Sequence, residues 1–162
     1  MTMARARKIG QERGSVTLEY VLVAVPMILL AFGVAELGRA IVQYNTLAKA
    51  TRDAARYLTM FQPGTRTAAA ACLAVSGNVS VNAAGSATCL GTALLPGLSA
   101  GNVTICEATS CPATHRNVTL TGVGPVNLVT VTIQSYAFAT LVPAVIPDIT
   151  FGPISTTMRA PL

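Results

Sequence analysis

The chain has 162 residues, 52% of them apolar and only 10% charged, with 11 Lys+Arg against 6 Asp+Glu for a net charge of +5. An ordinary soluble domain carries roughly 25% charged residues, so this is a membrane-associated chain or one with an unusually bland surface. High hydrophobicity with low charge excludes wholesale disorder, and the length suits one domain with an appendage rather than a multidomain enzyme.

The charge is unevenly placed. Residues 1–14 carry Arg5, Arg7, Lys8 and Arg13 against Glu12, a net +3. Residues 15–66 carry Arg39, Lys49, Arg52, Arg56 and Arg66 against Glu19, Glu36 and Asp53, a net +2. From residue 67 onward, Arg116 and Arg159 balance Glu107 and Asp148. A basic chain invites a nucleic-acid reading. Here no basic patch is interleaved with aromatics, and the C-terminal region is neutral, so that partner is set aside.

A basic leader precedes the apolar run SVTLEYVLVAVPMILLAFGVAELGRA. From Tyr20 to Ala35 no residue is charged. About 20 mostly apolar residues span a bilayer as a helix, so the run predicts one membrane span at about residues 16–36. Basic residues flank it on both sides, so counting them does not fix its orientation. The cysteines favour a C-terminal side outside the cytoplasm.

Two processing sites compete. Gly33-Val34-Ala35 is a small-x-small pattern of the kind that ends a secretory signal. Its rival is the Gly14–Ser15 junction between leader and apolar run, with Glu19 and Tyr20 following; cutting there leaves the helix attached. An acid inside a membrane helix costs a few kcal/mol and marks a functional position. Headgroup solvation near a helix N-terminus is the alternative account of Glu19. Cleavage after Gly14 would free an α-amine on Ser15, one helical turn from the Glu19 carboxylate. The same pairing between chains would set the register of neighbouring helices.

From Leu37 onward, apolar or small residues recur at 37, 40, 41, 44, 47, 48, 51, 54, 55, 58 and 61, a helical stripe. The helix is expected over residues 15–62, stopped by Pro63-Gly64. From Ser15 to Phe61 it would be about 70 Å long. Pro26 should bend it or cost one hydrogen bond. The stripe is expected to pack on the chain's own following domain, with a partner helix as the alternative.

Arg13-Gly14-Ser15-Val16-Thr17-Leu18-Glu19-Tyr20 resembles the prepilin cleavage site of Tad (tight adherence) pilus systems. Tyr20 to Pro26, Leu29 to Gly33, Glu36-Leu37-Gly38-Arg39, Tyr44-Asn45 and Ala54-Ala55-Arg56 are similar to the TadE-like pilus-assembly family. More loosely, so are Val129 to Ile133, Tyr136-Ala137-Phe138 and Leu141-Val142-Pro143. Tyr20 stands where Phe is frequent. The related TadG-like proteins are usually longer. The resemblance implies a minor pilin or pseudopilin of the Flp (type IVc) pilus, processed by a prepilin peptidase and anchored in the bacterial inner membrane. Its partners would be other pilin subunits and the Tad machinery, with possible incorporation into the pilus.

Residues 65–76 read as a short Ala-rich helix ended by Gly77-Asn78. Strands are expected at residues 78–81, 102–106, 117–120, 127–137 and 154–159. Asn78, Asn102 and Asn117 lie in N-x-Ser/Thr triplets, read here as strand starts rather than glycan sites. The stretch 141–147 reads as a packed turn or short helix. The expected fold is α+β: a leader (1–14), the long helix, and an extracytoplasmic, pilin-like head (63–162) whose small antiparallel sheet packs on that helix.

Cys72, Cys89, Cys106 and Cys111 form an even set, which in an exported domain points to disulfides. Of three possible pairings, Cys72–Cys89 with Cys106–Cys111 keeps both bridges local. Zinc fits poorly, with His115 the only histidine and no pair of close Cys-x-x-Cys clusters; free buried thiols are the other alternative. No catalytic, cofactor-binding or metal-binding set stands out. His115 beside Arg116 reads as a surface histidine in a loop. An uncleaved, single-pass binding or adhesion module is the alternative to pilus assembly.

Overall fold

The computed structural model describes residues 13–162 except 84, 123, 144 and 145, with side chains from residue 16 onward. Residues 1–12 of the expected leader lie outside the described residues, and Gly14 and Ser15 are described as helical backbone only.

Helix α1 (Arg13–Leu58) runs for 46 residues, about 69 Å at 1.5 Å each, with Pro26 inside it. It ends at Leu58 rather than near residue 62. There the Met60 and Phe61 amides bond to carbonyls three residues back, which tightens the last turn before Pro63. One side of its C-terminal part is buried: Leu47, Ala50, Thr51, Ala54, Ala55 and Leu58. These recur at helical spacing, and the alanines let other elements come close. The stripe therefore packs against the chain's own head from Leu47 on, while Leu37, Ile41 and Tyr44 stay exposed.

Helix α2 (Thr67–Ser76) lays Ala70 and Ala74 against this side of α1. Gly77 closes it at φ 73, its amide bonding to the Leu73 carbonyl. The hairpin β1 (Val79–Val81) and β2 (Ala87–Cys89) follows. The Cys72–Cys89 disulfide ties it back to α2.

The main sheet comprises β3 (Val103–Glu107), β4 (Val118–Leu120), β5 (Gly124–Ile133) and β8 (Ile154–Ala160), all antiparallel. The ten-residue β5 is central. It pairs with β3 from Val129 to Ile133, with β4 from Gly124 to Val126, and with β8 from Asn127 to Ile133. Its side chains alternate as the sequence predicts: Val129, Val131 and Ile133 are buried, and Thr130 and Thr132 point the other way. Two apolar clusters join this sheet to α1. One holds Leu47, Ala50, Ile133, Tyr136 and Ile154; the other holds Ala54, Ala55, Leu58, Val129 and Val131. Fully burying a side chain such as Leu47 contributes about 1.5–3 kcal/mol.

The expected strand 127–137 breaks after Ile133. Ser135 takes φ 55, and the Gln134 amide turns to the Asn102 carbonyl, so the ladder stops and resumes as β6 (Ala137–Phe138) against β7 (Ile149–Thr150). The short α3 (Pro112–His115), β2 and β7 are elements the sequence patterns did not reveal.

A buried acid joins the loop after α1 to the loop after β3. Glu107 is 3% exposed; its Oε1 accepts the Gly64 amide at 2.9 Å and the Thr109 hydroxyl at 3.4 Å. Gly64 sits at φ 86, and a Cβ there would press on Thr109. The Cys106–Cys111 bridge closes the same loop. Both local disulfides favoured by the spacing are thus present, and no cysteine is free. Thiol labelling of the unreduced full-length protein should modify none of the four cysteines, and all four after denaturation and reduction. Any labelling before reduction contradicts the pairing.

Candidate functional site

The notable surface is the bare part of α1. From Val16 to Phe32 every residue but Ala24 is exposed, including Leu18, Leu22, Val25, Leu29 and Leu30. The helix contains one stretch long and apolar enough to cross a membrane, with mean hydropathy 2.3 and 6% of that stretch buried. The core helix of a soluble protein would be mostly covered. On one side, Pro26, Leu30, Gly33 and Leu37 outline a shallow apolar notch. A Cβ added at Gly33 would meet nothing, so that backbone is open to a close neighbour.

Glu19 and Tyr20 lie in the second turn of this bare segment. Tyr20 is 72% exposed, and Glu19 has no ion-pair partner among the described residues. Ser15 precedes Glu19 by one turn of α1.

At the other end of the bare segment the helix meets the head through a polar clasp. Glu36 is 5% exposed, the first buried side chain along α1 among the described residues. Both its oxygens accept from Arg39 Nη1, at 2.9 and 3.1 Å. Oε1 also accepts the Leu141 amide at 3.1 Å. Arg39 Nη2 donates to the Ala139 carbonyl at 3.1 Å, and its guanidinium lies 5.0 Å from the centre of the Phe138 ring. From the far side, Asp148 Oδ1 accepts the Thr140 amide at 3.0 Å. The 139–141 backbone is thus held between a pair of charges on α1 and an acid beside β7. Burying Glu36 is tolerable because Arg39 and an amide satisfy it together.

Aromatic rings extend this junction. Phe151 lies 5.9 Å from Phe138, 5.8 Å from Tyr136 and 6.1 Å from Tyr44, so α1 is bound to the β6–β7 ladder by ring contacts as well. The Tyr136 hydroxyl lies 3.1 Å from both Gln43 Oε1 and the Pro96 carbonyl. Burial pushes this phenol above its ordinary value, and nearby Arg39 partly offsets that. It therefore stays neutral, and a donor, across the physiological range.

The sequence pointed to Glu36-Leu37-Gly38-Arg39, Tyr136-Ala137-Phe138 and Leu141-Val142-Pro143 as separate segments of a resemblance, with a strand expected up to residue 137 and a packed turn or short helix at 141–147, and did not connect them. The structure brings them together. The spacing of Glu36 and Arg39 signals an ion pair, but no local pattern points to backbone a hundred residues away. His115 is also placed differently from expectation. It ends α3, is half-buried, and bonds through Nδ1 to Thr114 (2.7 Å) and through Nε2 to Thr130 on β5 (2.8 Å). Donor atoms of Cys106, Cys111 and His115 lie within 4.8 Å of one another. The two sulfurs are bonded to each other, which removes them as thiolate ligands.

A family model described as TadE-like protein matches residues 14–56, which covers the bare helix, the clasp residues on α1 and most of the buried stripe. No curated protein and no solved structure matches the chain.

Replacing Glu36 by Ala should loosen the junction locally. Losing the shared acceptor of a part-buried amide and a guanidinium costs about 1–3 kcal/mol, so amide exchange at residues 139–141 should rise about ten- to hundredfold. Exchange at Val131, in the sheet, should hold. Unchanged exchange at Leu141 contradicts the clasp.

Proposed function

We propose that this chain, TadE-like along residues 14–56, is a minor pilin or pseudopilin required to build a Tad-type (Flp, type IVc) pilus. It is inserted in the inner membrane with the leader in the cytoplasm and the head outside. A prepilin peptidase cuts between Gly14 and Ser15. The helix then anchors the subunit and packs with other pilin helices, in the membrane and on transfer to the pilus.

One observation carries this reading: α1 is unbroken from the Gly14–Ser15 junction into the core of the head, and its first half is bare and apolar, with no ion-pair partner for Glu19 among the described residues. A helix that served only its own domain would bury that surface. A carboxylate at membrane depth is costly unless a partner is supplied, and the freed Ser15 amine, on this or a neighbouring subunit, is such a partner. The paired cysteines fit an oxidising compartment for the head.

N-terminal sequencing of the protein purified from membranes should begin at Ser15. A start at Met1 or Glu36 overturns the processing step. Glu19→Ala should abolish piliation while the protein still reaches the membrane at normal levels. Unchanged piliation in that variant would instead favour an uncleaved, membrane-anchored binding module.

A further inference from the structure

The strand β8 pairs with β5 along its whole length. Its other edge carries no strand among the described residues. Every second residue of such an edge turns its amide and carbonyl outward. None of these groups is taken up by a loop or turn hydrogen bond among the described residues. Protein edges are commonly blunted by lysine, proline or a covering element. From Ile154 to Ala160 the sequence ISTTMRA holds no proline or lysine, and its single charge, Arg159, is near the end. At about 3.3 Å per residue this is roughly 23 Å of open ladder.

A groove of about 370 Å³ lies along the start of this edge, between it and α1. Its walls include Asn45, Lys49 and Arg52 on the helix and Ser155 and Thr156 on the strand, with no carboxylate in the lining. Lys49 and Arg52 are exposed and have no ion-pair partner among the described residues. Backbone groups able to continue a sheet thus stand beside two unpaired cations.

We propose that this groove takes an extended, acidic segment of another protein, which adds to the sheet as a strand beside β8 and places carboxylates against Lys49 and Arg52. Main-chain hydrogen bonds would supply affinity, and the two cations would choose the partner. A second copy of this chain does not fit the charge. Glu107 is buried, Glu36 is paired with Arg39, Asp148 is bonded to Thr140, and Asp53 and Glu19 lie on a helix. Glu12 belongs to a leader of net charge +3. The inference rests on the edge and its charges and is independent of cleavage and piliation.

The test uses the full chain in detergent micelles and two fluorescent eight-residue peptides. One alternates Val with Thr and Glu; the other carries Lys at the Glu positions. Fluorescence anisotropy should show the acidic peptide binding about tenfold more tightly or better. Amide exchange should slow across residues 154–160 when it binds. In the Lys49→Glu/Arg52→Glu double variant the preference should reverse toward the basic peptide. Four results overturn the proposal: no binding of the acidic peptide, equal binding of both, protection elsewhere than β8, or an unchanged preference in the double variant. The wild-type comparison decides alone should the variant fail to fold.

Discussion

Everything in this structure depends on the docking of one side of α1, from Leu47 to Leu58, against the buried side of β5. The contact joins a helical period to a strand period. Leu47, Ala54, Ala55 and Leu58 follow the turn of the helix, while Val129, Val131 and Ile133 follow the pleat of the strand. Alanines on α1 and α2 bring the backbones together, and the larger side chains fill the ends. Because β3 and β8 both pair with β5, fixing that strand on α1 fixes the sheet. The helix is thus a core element over its last turns and a bare apolar rod over its first half, with no break in between.

The change of role along α1 occurs at Glu36 and Arg39. An apolar contact would have sealed the head equally well in water. A paired acid and base holding backbone at Ala139 and Leu141 does something else: it gives the end of the apolar stretch a defined polar boundary. Charged groups resist entry into hydrocarbon, so the clasp fixes where a bilayer could end relative to the head. Phe138, under the guanidinium and stacked on Phe151, holds that boundary to the β6–β7 ladder.

Much of the fold was legible in the sequence, and the misses have physical causes. The alternation in VTVTI gave the side of β5 that is buried, and the stripe on α1 gave the side that buries it, because both patterns are local. The disulfides were legible because each closes a short segment. The break at Ser135 was not, since a serine in the left-handed region leaves no mark in composition and is held by long-range bonds around Asn102. The two-residue strands β6 and β7 lack the length for a pattern. His115 was misread as a loop histidine because its partner, Thr130, lies on the other side of a turn and strand. Spacing is what singled out Gly14, Glu19 and Tyr20 for the proposed processing and pairing site. The clasp, and the burial of Glu107 on Gly64, joined residues whose types said nothing of one another.

The placement of the two disulfides has a mechanical consequence. One joins α2 to β2, and the other closes the turn between β3 and α3. Neither includes a residue of α1 or β8. A pull applied between the bare half of α1 and the sheet is therefore borne first by apolar packing, the ring contacts and the Glu36–Arg39 clasp, none of which a cross-link bridges. Under tension the head would part from its helix as a unit, with its loops still closed and its hairpin still tied to α2.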